Sequence, residues 1–126
     1  MATISQMVHN RLPDEAVMFD TALVTFILEA GAQTGLEGVA EDDMSMLQKS
    51  LIADLAAKAL ILPAMSHYKK ALAKAEGDGA GTAEFVDKLA FLKEMKGTLA
   101  TAIEEKKSGT GSVVDTGVPG VVVTSG

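Results

Sequence analysis

Apolar residues recur at helical spacing along most of this chain, and proline and glycine interrupt the pattern at a few points. In TISQMVHNRL, residues 3–12, Ile4, Met7, Val8 and Leu12 fall on one side of a short opening helix, with Thr3 or Ser5 as its cap. Pro13 interrupts it. A second helix is expected from about Pro13 to Ala30, because proline suits a first helical turn and Asp14 and Glu15 then sit where acids favour the helix dipole. Gly31 is the expected stop. The polar residues of this segment, Asp20, Thr21, Thr25 and Glu29, make one narrow stripe, and the remaining surface is apolar. A helix hydrophobic nearly all round has to be enclosed on most sides. A four-helix monomer could just enclose it, and a ring of subunits would do so more easily.

Residues 31–41, GAQTGLEGVAE, carry three glycines and no periodicity, which predicts a loop. Asp42 or Asp43 is the expected cap of the next helix, running to Pro63. On it Met44, Leu47, Leu51, Leu55 and Leu62 share one broad side, Ile52, Ala56 and Ala59 adjoin them, and Asp54 with Lys58 forms a solvent-side pair. Pro63 lacks a backbone donor and its ring opposes the carbonyl of Ala59, so a kink or break is expected there. The pattern resumes with Met65, Tyr68, Leu72 and Ala75, opposite Lys69, Lys70 and Lys74. EGDGAG, residues 76–81, reads as a turn and Thr82 as an N-cap. Phe85, Leu89, Leu92, Leu99 and Ile103, widened by Met95 and Ala102, then define the clearest amphipathic helix, ending near Lys106 and Lys107. Gly97 within it costs about 1 kcal/mol relative to alanine and suggests a bend or a close helix crossing.

From residue 108 the composition changes to SGTGSVVDTGVPGVVVTSG and helical periodicity is lost. The fold class read from the sequence is therefore all-α: a small bundle of about four to five helices over residues 1–107, with an extended, β-capable C-terminal arm over 108–126. Val113, Val114, Val118, Val121, Val122 and Val123 are the arm's apolar residues. Their burial returns less free energy than the arm's backbone loses on ordering. The arm is thus expected to dock on a neighbouring subunit, as in β-strand addition. The alternative is a short hairpin in which Val113 and Val114 pair with Val121 to Val123, an arrangement marginal in isolation.

Composition narrows the functions open to such a chain. Hydrophobic residues make up 48% of it and aromatics only 4%, so the core depends on close helix contacts rather than on large rings. Mean hydropathy is positive, at +0.24, and membrane insertion has to be considered. A spanning helix needs roughly 20 apolar residues in succession. The two candidates, 16–30 and 51–65, are shorter and carry Asp20 and Glu29, or Asp54, Lys58 and Pro63. No membrane role is expected. Net charge is −6 and Arg11 is the single arginine, which argues against a dedicated binder of phosphate backbones. There is no cysteine, and His9 and His67 lie apart with no metal-ligand spacing. The pairs Asp42–Asp43 and Glu104–Glu105 sit at helix ends and do not converge on a site. EGDGAGT resembles a phosphate loop only in its alternating glycines, lacking the preceding strand and the lysine. No enzyme, no cofactor and no metal are expected.

The order of elements carries a resemblance. TISQMVHNRL, then DEAVMFDTALVTFILEAG, then MLQKSLIADLAAKALI, resembles the head–tail connector (adaptor) proteins of tailed bacteriophages. In that family small α-helical bundles form a ring beneath the portal, and C-terminal arms reach into neighbouring ring proteins. The resemblance implies a homo-oligomeric ring in a virion, assembled in the host cytoplasm, with portal and tail components as partners and DNA passing through a lumen without specific binding. The six arm valines would be the docking positions. Other expectations are another virion component, such as a capsid decoration or tail-completion protein, and a cytoplasmic helical module that binds a peptide or helix.

Overall fold

The computed structural model describes residues 3–110, which form five α-helices with no strand among them: α1 (Ile4–Arg11), α2 (Pro13–Met18), α3 (Asp20–Gln33), α4 (Met46–Asp78) and α5 (Ala83–Thr110). The all-α bundle read from the sequence is the fold.

Local chemistry sets most of the boundaries. Thr3 caps α1 through a reciprocal box: its hydroxyl accepts the Gln6 N–H at 3.1 Å, and the Gln6 side chain accepts the Thr3 N–H at 2.8 Å. Glu41 accepts the Ile4 N–H at 3.1 Å and ties the later loop to this end. Pro13 opens α2 as expected. The single helix expected over 13–30 is divided, however, because Phe19 leaves helical geometry (φ −110°, ψ 28°) and its carbonyl receives the N–H groups of Ala22 and Leu23. Gly31 does not end α3. It is buried inside the helix, and the stop comes after Gln33, where Gly35 takes φ +77° and the Leu36 N–H returns to the Gly31 carbonyl at 2.8 Å.

Asp42 and Asp43 do not cap α4 either; they belong to a 3-10 turn, Glu41–Asp43. The cap is Ser45, in a second reciprocal box with Gln48. From there α4 runs 33 residues, about 50 Å at 1.5 Å per residue, and continues through Pro63. The expected break is absent. The carbonyl deprived of its donor belongs to Ala59, an exposed residue. Gly79, at φ +71°, terminates α4, and α5 returns antiparallel along it, with helical backbone carried on through Ser108, Gly109 and Thr110.

Helix α4 is the centre of the molecule, and the other four helices pack on it. Its inner side is rich in alanine, with Ala53, Ala56, Ala57 and Ala64 buried, which lets neighbouring backbones approach closely. Leu60 and Ile61 complete that side, against Val8 and Leu12 of the α1 region, Leu23 of α3, and Leu92 and Leu99 of α5. Gly97 has open space where a Cβ would stand, so no close crossing occurs there.

Candidate functional site

The six valines at 113, 114, 118, 121, 122 and 123 lie outside the described residues. On the described bundle two carboxylates, Asp54 and Glu15, are buried.

Asp54 corrects the sequence reading. Far from pairing with Lys58 in solvent, it is 1% exposed and accepts from the Arg11 guanidinium and the Lys106 ammonium. Arg11 also donates to the Met7 carbonyl at 2.8 Å and to the Ser50 hydroxyl at 2.9 Å. The signal was available: Leu51, Asp54, Ala57, Ile61, Ala64 and Tyr68 form one stripe at spacing three and four, with the carboxylate among apolar residues. Two cations from α1 and α5 meet one anion on α4, which locks three helices in register.

Glu15 is the second. It is 0% exposed, accepts from the Tyr68 hydroxyl at 2.8 Å, and stands 3.5 Å from the Lys88 ammonium. Its other oxygen, Oε1, has no hydrogen-bond partner among the described residues. Lys88 also donates to Asp14. Burial, then the hydrogen bond to Glu15, then the nearby carboxylates push the Tyr68 hydroxyl well above its ordinary pKa. The bond to Asp14 raises Lys88 against the opposing effect of burial. Around this pair opens a cleft of about 500 Å³ between α2 and the start of α5, lined by Asp14, Glu15, Glu84, Asp87, Lys88 and Phe91. Four carboxylates there face one ammonium.

An apolar stripe leads away from the cleft. Val17 stands one turn after Pro13 and Asp14 on α2; beyond the break at Phe19, Thr21, Val24 and Leu28 follow at spacing three and four along one side of α3. Val17, Val24 and Leu28 are 65%, 64% and 68% exposed. On another flank, between α4 and α5, two adjoining grooves of about 360 and 530 Å³ share Leu62, Met65 and Lys96. Leu62, which the sequence put on the core side of α4, is 74% exposed. Lys58, Lys69, Lys70 and Lys96 line these grooves, and no acidic residue does. None of the four forms an ion pair among the described residues.

The histidines remain apart. His9 Nδ1 lies 2.8 Å from the Ser5 carbonyl, while exposed His67 stands edge-on to the Tyr68 ring at 5.4 Å. Among the described residues no three His, Cys, Asp or Glu side chains converge as metal ligands. No described helix is long and apolar enough to cross a membrane. Comparison with known proteins gives no match, whether to a protein family, a curated protein or a solved structure.

Proposed function

We propose that this protein is a structural, non-catalytic subunit of a multi-protein assembly. One observation carries this reading. The α2–α3 segment is apolar nearly all round, and the bundle covers only one side of it, leaving Val17 of α2 and Val24 and Leu28 of α3 on the surface. Aligned apolar side chains of this size lose free energy to water unless another surface covers them. Asp54 ties α1, α4 and α5 together, and Glu15 of α2 accepts from Tyr68 of α4, which suits a subunit that docks as a rigid body.

Within that class, the ring subunit of a phage head–tail connector is the form favoured by the element order: a short capped helix, a proline start, an apolar helix, a loop and a long helix. The valine arm would add a second attachment to neighbouring ring, portal or tail proteins. Net negative charge suits a lumen along which DNA slides without sticking.

Sedimentation velocity on the full chain tests the proposal. Wild-type protein is expected to form larger species as its concentration rises, and Leu28→Glu is expected to remain monomeric with unchanged helical circular dichroism. A wild-type chain that stays monomeric at every concentration would overturn it.

A further inference from the structure

We infer that copies of this chain associate head to tail, the lysine-rimmed groove of one subunit seating on the acidic cleft and apolar stripe of the next. The inference rests on the assembly reading above and names the two faces that meet.

The charges are complementary and segregated. The cleft sets Asp14, Glu15, Glu84 and Asp87 against Lys88 alone. The grooves set Lys58, Lys69, Lys70 and Lys96 against no acid. In a chain of net charge −6, four of the eleven cationic side chains are gathered on this one flank. Lys88 already pairs with Asp14 and Glu15, which leaves Glu84 and Asp87 without an ion pair among the described residues. Like charges held close together repel, and an opposing set on a neighbour relieves both faces.

Each charged set also surrounds apolar surface. Leu62 stands 74% exposed among the lysines, while Phe91 is exposed in the cleft and Val17 is exposed one turn from Asp14. An apolar centre with a charged rim is the anatomy of a protein interface. It is a poor fit to a phosphate backbone, which offers nothing to cover Leu62. That favours a second copy over nucleic acid as the occupant of the groove.

Cleft against cleft would set acid on acid, and groove against groove lysine on lysine. Phe91 and Lys96 lie on α5, five residues and about 140° apart around the helix, so cleft and groove look out on different flanks. Contact between unlike faces propagates from copy to copy and ends in a closed ring or an open filament, whereas a two-fold dimer would need one face to match itself.

Charge reversal in the full chain tests this pairing. K69E/K70E and E84K/D87K alter exposed side chains, and circular dichroism monitors folding of each. Each double variant is expected to self-associate about tenfold or more weakly than wild type by sedimentation velocity. An equimolar mixture is expected to recover association, since every contact between unlike variants is again complementary. Should both variants assemble as well as wild type, the face assignment is wrong and the assembly reading stands. Failure of the mixture to recover would also overturn the pairing. A third contrary result is binding of a duplex oligonucleotide that K69E/K70E abolishes while leaving assembly intact. A wild-type chain that never assembles removes both the pairing and the reading beneath it.

Discussion

Asp54 and Glu15 are both buried carboxylates, and they differ in how well their neighbours compensate them. Asp54 has two cationic donors, each between a fifth and a quarter exposed, so removing it leaves Arg11 and Lys106 partly desolvated without an anion. Asp54→Ala should lower the unfolding free energy by about 2–3 kcal/mol in urea titrations, less than for a fully dry pair because both cations reach water. Glu15 acts instead on Tyr68. As the single tyrosine in a chain without tryptophan, Tyr68 can be titrated by its own ultraviolet absorbance. Its folded-state pKa lies above the unfolded value of about 10, so the stability it contributes is fully present below that pH and is lost as the pH rises beyond it. Native protein should therefore show no phenolate at pH values where the urea-unfolded chain is half ionised. Glu15→Gln should bring the native titration down towards the unfolded one. Lys88 is shifted in the same direction, so Tyr68→Phe should reduce the alkaline loss of stability without removing it.

Helix α5 contains an interior glycine with nothing within 4 Å of where a Cβ would stand, on an exposed side. Gly97→Ala should thus stabilise the protein by roughly 0.5–1 kcal/mol, visible as a higher midpoint of thermal unfolding. At the start of α4 the reverse holds. Ser45→Ala removes one half of the box with Gln48 and should cost about 1 kcal/mol. The contrast between these two sites also marks how far helix ends could be read in advance. At α1 residue type left Thr3 and Ser5 as alternatives, and the reciprocal box with Gln6 decides for Thr3. Ser45 offers the same spacing to Gln48, yet the neighbouring aspartates compete for the role on residue type alone, and they are drawn into a 3-10 turn instead. Pro63 was legible as a perturbation and not as a continuation, since packing along the whole of α4 outweighs one lost hydrogen bond.

At the scale of the molecule, the charge is divided between faces, and the mean composition hides this. Raising salt should weaken self-association, because exposed lysines and carboxylates are screened over a length of about 10 Å at 0.1 M. Leu62→Ser separates assembly from folding: an exposed side chain contributes little to the monomer, so stability should change by less than about 0.5 kcal/mol while association falls. Unchanged association in that variant would place the apolar centre of the contact elsewhere. Truncation after residue 110 is expected to weaken association, with sedimentation velocity as the measurement.

Helical content, the starts of α2 and α5, the glycine-led turn at Gly79 and the amphipathic face of α5 follow from the sequence alone, because spacing and capping are local and act over three or four residues. The inner and outer sides of α3 and α4 do not. When apolar residues surround a helix, periodicity names no preferred face, and the neighbours that pack against it decide which side is buried. Only the tertiary structure therefore decided that Leu62 and Leu28 face outward, that Asp54 is buried against cations 43 and 52 residues away, and that acids from α2 and α5 share one cleft. These are encounters between distant segments, and no local rule carries their geometry.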